Sequence, residues 1–272
     1  MTISGLMAAD RLMHATVGTE FLKLRRSKVV LATFAVYAFM AGMAGFFMWM
    51  LMHPGLAESL GLLGQKANFA LGGETLDWPT YLRFLAMMAG LGGLLVLSFI
   101  VAFVFGREYA EGTAKNMLAL PAPRPFFVVA KLIVAAAWFL ALNLFFILLG
   151  LAVGRLAGLP GFSPALVAPF AAKVLSTALL VLCASSPVAW VAVASRGYFA
   201  SLGFAVSTLA LASVFGHTGW APWCPWSIIG IYSGAAGPGQ ELGPGSYAVM
   251  AATFLLGTAL AIRRELRADN AQ

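Results

Sequence analysis

Residues 84–106 read FLAMMAGLGGLLVLSFIVAFVFG, a run of 23 positions with no charge and Ser98 as its only hydroxyl. About 20 such residues carry an α-helix across the ~30 Å hydrocarbon core of a bilayer. The apolar positions are continuous rather than alternating, which argues against a barrel strand with one wet face. Five more apolar runs, at 29–52, 126–154, 170–195, 198–216 and 246–262, share this character. Lys131 and Lys173 lie close enough to the ends of theirs to snorkel. Composition agrees, since 61% of the 272 residues are hydrophobic and 10% are charged, against about a quarter charged in a soluble domain. The sequence therefore predicts an all-α integral membrane protein. Six transmembrane helices fill 29–262, after an N-terminal segment 1–28 and before a tail 263–272.

Charge orients this chain. Lys66, Arg83, Arg155 and Lys173 fall on one side of a six-span topology, and the rest of the 17 cations gather on the other. Cations favour the cytoplasmic face, so both termini are expected there. The net charge of +7 is then a topology signal, and no nucleic-acid partner is needed to explain it. Within 8–26, Met13, Val17, Phe21 and Leu24 recur at helical spacing, with Asp10, His14, Glu20 and Lys23 elsewhere around the helix. That pattern predicts an amphipathic helix lying in the membrane interface, near anionic lipid headgroups.

Several chemistries are disfavoured. No acidic residue lies within the six runs, whereas ion-coupled carriers place ionisable groups at mid-membrane. His14, His53 and His217 all fall outside the hydrocarbon core, and no nucleophile–base set or metal-ligand cluster can be assembled. Catalytic, cofactor and metal sites are thus expected to be absent from this chain. Gly61…Gly64-Gln65-Lys66-Ala67 lacks the spacer and the Ser/Thr of a phosphate loop. Cys183 and Cys224 sit at different depths and read as free thiols.

Other features read as packing or as loop anchors. Gly150, Gly154 and Gly158 form a small-residue stripe for close helix approach. Trp78-Pro79 suits an interfacial anchor, and Pro187 should kink its span. The segment 217–245 carries Trp220, Trp223 and Trp226 with a single charge, Glu241. It reads as an outer-leaflet loop that either anchors at the headgroups or forms a lid. Asn143, Ser98, Ser185 and Ser186 are candidate polar cavity-lining residues, and they equally suit interhelical bonding.

From 107 onward the chain reads REYAEGTAKNMLALPAPRPFFVVAK, a concentration of charge in an apolar protein. Arg107, Glu111 and Lys115 stand at i, i+4 and i+8, which predicts one helical face over 107–119. Pro121, Pro123 and Pro125 would then end that helix and turn the chain back. A plain inside loop with orienting charges is the other reading of these residues.

The set Gly106-Arg-Glu-Tyr-Ala-Glu-Gly-Thr113, Lys115-Asn116, Leu120-Pro121, Arg124 and Ala130-Lys131 resembles the signature of type-2 ABC exporter permeases. The bacitracin- and lantibiotic-resistance permeases are the most similar subgroup. Pro123 departs from the serine often found there. The resemblance implies the membrane subunit of an ATP-driven exporter in a bacterial plasma membrane, with a cytoplasmic coupling helix between spans 2 and 3. Arg107, Glu108, Tyr109, Glu111, Gly112, Thr113, Lys115 and Asn116 would dock on a separate ABC ATPase. Two ATPase copies, which hold ATP and Mg, would pair with two permease chains, as a homodimer or with a similar permease. The implied cargo is amphipathic or hydrophobic, such as a peptide antibiotic, a drug or a lipid. An ATP-independent carrier or channel, and a membrane anchor for a non-transport ABC complex, are the alternatives.

Overall fold

The computed structural model describes residues 3–53, 55, 75–113, 123–237 and 239–267. Among them are eight α-helices and no strand: α1 (Ile3–Arg25), α2 (Val29–Leu51), α3 (Trp78–Ala110), α4 (Arg124–Leu156), α5 (Val167–Ser195), α6 (Phe199–Phe215), α7 (Pro225–Ser233) and α8 (Pro244–Arg267). Short 3-10 turns at Pro164–Leu166 and Ala221–Trp223 lead into α5 and α7.

Among the described residues, five helical stretches are long and apolar enough to cross a membrane: Val29–Leu51, Trp78–Ala110, Arg124–Leu156, Pro164–Ser195 and Pro244–Arg267. The protein is therefore an all-helical, multi-pass membrane protein. The run expected to span at 198–216 is α6, whose 17 residues rise only about 25 Å. That is short of the hydrocarbon thickness. By contrast, α3 and α4 have 33 residues each, about 50 Å, and overrun the expected 84–106 and 126–154 at both ends.

The start of α3 shows why. Asp77 is its N-cap, accepting from the Thr80 backbone N–H at 3.0 Å and from the Thr75 hydroxyl at 2.7 Å. Pro79, in the first turn, needs no N–H partner there. The Thr80 N–H, then Thr75, holds the Asp77 carboxyl below its ordinary range. A depressed carboxyl contributes stability above its unfolded pKa that is lost as pH falls through the folded value. Asp77→Ala should cost about 1 kcal/mol of helix stability at neutral pH. The difference from wild type should shrink in thermal unfolding below the ordinary carboxylate pKa.

Trp78 is not an interfacial anchor. It is 1% exposed and sits edge-on to Tyr81 and Phe162, at 5.8 and 4.8 Å between centroids. The glycine stripe explains its place. A Cβ on Gly154 would lie 2.8 Å from the Trp78 ring, and one on Gly150 would lie 2.7 Å from Leu85. The Tyr81 hydroxyl donates to the Gly150 carbonyl at 2.9 Å. Gly150 and Gly154 thus bring α4 against α3. Gly158 does something else, turning the chain after α4 with φ +70°.

α5 runs through Pro187 as one helix. Proline lacks the N–H that would bond the Cys183 carbonyl. The Ser186 hydroxyl replaces it, reaching the Cys183 carbonyl at 3.1 Å and the Thr253 carbonyl of α8 at 3.0 Å. Gly257 of α8 lies directly on this point, where a Cβ would stand 2.7 Å from the Pro187 nitrogen. Backbone-to-backbone contact at Gly257 and Pro187 joins α5 to α8.

After α6 the chain folds back into the bundle. α7 packs against α3, α5 and α6, with Ile228 and Ile229 fully buried. A Cβ on Gly90 of α3 would lie 2.8 Å from the Ser233 side chain. The segment 217–245, expected as an outer-leaflet loop, thus carries a short helix packed against the bundle.

Candidate functional site

The charged ends of the helices meet at one pole of the bundle, where α1, the end of α3, the start of α4, the α5–α6 turn and the end of α8 converge. At its centre is Glu108, 5% exposed. Its carboxylate binds Lys131 of α4 and, at 2.8 Å, Lys23 of α1. Lys23 also binds Glu20 at 2.6 Å, and Glu20 is itself buried. Glu20, Glu108 and Lys131 are buried, and Lys23, with 37% of its side chain exposed, closes the cluster at its rim; Lys131 also lies 5.5 Å from the Phe105 ring centroid. The burial of Lys131 corrects its expected snorkelling: seven residues into α4, it is held by Glu108. Glu108 lies on the charged stretch in the sequence, yet its side chain is an internal tie among three helices.

Around this tie the other contacts are also between helices. Arg107 donates to the Lys23 carbonyl at 3.4 Å and lies over Phe103. The Tyr109 hydroxyl donates to Glu265 of α8 at 2.9 Å. Arg124 donates to the carbonyls of Glu265 and Leu266 at 3.3 and 3.4 Å, placing a cation on the negative end of the α8 dipole. A Cβ on Gly106 would stand 2.8 Å from the Tyr198 nitrogen, so only glycine admits the α5–α6 turn against α3.

α1 presents Thr16, Glu20 and Leu24 to the bundle, with Met13 and Val17 half-buried beside them. One expectation about this helix changes: Glu20, placed away from its apolar positions, is buried against the bundle with Lys23 half-buried beside it, while Phe21 is 43% exposed. Burial opposes the charge on Lys23, but its hydrogen bonds and proximity to Glu108 and Glu20 outweigh that and raise its pKa above the ordinary 10.5. A raised ammonium contributes stability that is whole below its unfolded pKa and is lost as pH climbs through its folded value. α1 should therefore detach under alkaline conditions above about pH 10.5. Faster proteolysis or hydrogen exchange of α1 than of α3 would report it.

Spacing predicts one helical face over 107–119, but α3 ends at Ala110. Gly112 takes φ +68°, the Thr113 N–H bonds the Glu108 carbonyl at 2.9 Å, and the Gly112 N–H bonds the Tyr109 carbonyl at 3.3 Å. This is the paired closure of a helix ending on a left-handed glycine. Glu-Gly-Thr is hence a stop signal in the middle of the charged stretch. Gly112→Ala should cost about 1–2 kcal/mol, read as a lower unfolding midpoint in detergent. Arg107 and Glu111 do approach, at 4.0 Å, and Glu111 points outward with 58% of its side chain exposed. Lys115 and Asn116 lie outside the described residues.

The remaining candidates divide. Trp220 and Trp223 are 69% and 58% exposed, although the Trp223 ring covers Gly245 at the start of α8. Trp226 is tethered, donating to the Ala184 carbonyl at 3.2 Å and meeting Phe204 edge-on. Asn143 is fully buried and donates to the Phe139 carbonyl at 2.9 Å. Ser98 is buried as well. Ser185 and Ser186 line a cavity of about 450 Å³ between α3, α4, α5 and α8, with Cys183 and Thr258. Asn143 and Ser98 are not among its lining residues. Thr258 is not legible as a site residue in the sequence, because one threonine in an apolar run carries no signal of what faces it. Among the described residues, no group of His, Cys, Asp and Glu could hold a metal ion, and both cysteines are free thiols.

Comparison with known proteins gives two matches. A family model described as "ABC-2 family transporter protein" matches residues 16–211. A bacitracin transport permease protein, BCRB of Bacillus licheniformis, is 28% identical over 171 residues, covering 62% of this chain and 82% of that one.

Proposed function

The chain belongs to the ABC-2 family of transporter proteins, and from that premise we propose that it is the permease half of an ATP-driven exporter. It is a transmembrane transporter subunit of the same kind as the bacitracin permease it resembles. The energy for transport comes from a separate ATPase, and two permease chains, alike or similar, form the pathway. The pole carrying Glu108 faces the cytoplasm, because it gathers Lys23, Arg107, Arg124 and Lys131, with Arg196, Arg263 and Arg264 at the adjoining helix ends, and cations stay inside. The cargo is amphipathic or hydrophobic, of the peptide-antibiotic, drug or lipid kind. Cavity walls of leucine, valine and alanine with a few hydroxyls suit such a molecule. α6, although short of the full hydrocarbon thickness, takes the chain from the pole at Arg196 toward the opposite end, where α8 begins, and so supplies the remaining crossing.

The observation that carries the coupling is the contrast between Glu108 and Glu111. Glu108 is committed to holding α1, α3 and α4 together, whereas Glu111 projects past the end of α3. The ATPase contacts Glu111 and the chain beyond it. Glu108, Tyr109 and Arg124 join that contact rigidly to the spans, so displacement at the pole moves α3, α4 and α8 together.

The test is co-purification with the natural ATPase, followed by ATP-dependent transport in proteoliposomes. Glu111→Lys should release the ATPase or uncouple hydrolysis from transport while leaving membrane insertion intact. Wild-type docking and transport in Glu111→Lys would refute the docking role. Transport driven by an ion gradient without ATP would refute the exporter.

A further inference from the structure

The cavity between α3, α4, α5 and α8 holds two hydroxyls that the fold leaves without partners. Hydroxyls on the helices of this bundle ordinarily bond the carbonyl one turn back. Thr33, Ser176, Thr177, Ser207, Ser213 and Thr253 all do so, at 2.7–3.0 Å. Among the described residues, the Ser98, Ser185 and Thr258 hydroxyls are buried with no partner. Two of these three, Ser185 and Thr258, line the same cavity. Ser185 is 1% exposed. The contact of Gly257 with Ser186 and Pro187 sets both hydroxyls at one level of the bundle.

An orphan hydroxyl in hydrocarbon is costly, so the occupant of this space carries a hydrogen-bond acceptor. Two donors fit one carbonyl oxygen with its two lone pairs. The rest of the wall is apolar, with Leu97, Val101, Ile133, Ala136, Leu179 and Phe254, and demands a hydrocarbon chain. Its outer rim is open to the bilayer, since Ile133 and Leu179 are 45% and 61% exposed. Thr258 precedes Arg263 by five residues, about 7.5 Å of helix rise. That puts it just below the headgroup level on the basic side, where acyl carbonyls lie.

We propose that this cavity is a binding site for the acyl chain of a membrane lipid, its ester carbonyl accepting from Ser185 and Thr258.

The test reconstitutes the chain alone in phosphatidylethanolamine–phosphatidylglycerol vesicles. Trace phosphatidylglycerol carries a photoactivatable diazirine on its chain, in either ester-linked or ether-linked form. No ATP or ATPase takes part, so the outcome is separable from the export reading. Irradiation should place adducts on the peptides holding Leu182, Cys183 and Phe254. The ester form should label them at least about fivefold more, since each of the two hydrogen bonds contributes about that factor at about 1 kcal/mol. Ser185→Ala with Thr258→Val should abolish that preference while labelling of the outer faces of α2 and α6 persists. Ala136→Phe should remove the cavity adducts altogether. Equal ester and ether labelling, a preference surviving the double substitution, or no cavity adducts would each overturn the proposal. So would efficient Cys183-to-Cys183 cross-linking between copies in a Cys224→Ser background, because a second chain would then fill the groove.

Discussion

Glu108→Ala is expected to lower the unfolding free energy by about 3–5 kcal/mol, the usual cost of removing one partner from a buried ion cluster. Lys131 is 4% exposed and would be left in an apolar wall with no carboxylate. Lys23 would keep Glu20 but lose its tie to α3. The loss should appear as a large drop in the temperature at which the detergent-solubilised protein stops being monodisperse. Glu108→Leu combined with Lys131→Met should recover most of it, because a buried pair exchanged for apolar side chains of similar size is often neutral or stabilising. If the cluster serves register and the proposed coupling, that double variant should be stable yet uncoupled from the proposed ATPase. Wild-type stability in Glu108→Ala would refute the buried tie.

Gly257→Val is expected to disrupt the α5–α8 seam, with a loss at or above the upper end of the ~1–3 kcal/mol typical of overpacking. The atoms in the way are the Ser186 hydroxyl oxygen, 2.5 Å from a Cβ at this position, and the Pro187 nitrogen and Ser186 carbonyl carbon at 2.7 and 2.8 Å. The last two are backbone, so a side-chain rotation alone cannot relieve the clash. Separating the helices would also break the Ser186 bond to the Thr253 carbonyl. Gly203, with open space beyond its Cβ position, is the control: Gly203→Val should insert and solubilise normally. Equal stability of the two variants would refute the close contact.

Both predictions concern residues whose types are visible in the sequence and whose partners are not. Glu108 is a docking charge only by the resemblance to exporter permeases, and its place in a polar stretch gives no sign that it turns inward. Its inward direction follows from α3 continuing to Ala110 and from where α1 and α4 lie. Glu20 and Lys23 read as the wet side of α1 on local grounds. Trp78, which its Pro79 neighbour would place at an interface, is buried because Gly154 leaves room for its ring. Gly112 is legible in type, and the stop it makes can be recognised only when the Thr113 and Gly112 N–H bonds are seen to close on α3.

The sequence by itself determined the membrane class, the apolar helices and their gathering of cations at one pole, and its resemblance to known permeases carried the family. The first three depend on composition or on spacing along one helix, where neighbours three and four residues apart are set by helical geometry. Tertiary structure decided which charges are shared among α1, α3 and α4, that α7 folds back into the bundle, and that Thr258 joins Ser185 at one cavity. Such pairings join residues up to 156 positions apart, as Tyr109 and Glu265 are. Only packing brings them together, because an apolar helix face is equally content against lipid or protein until steric fit at glycines such as Gly106, Gly154 and Gly257 selects its neighbour.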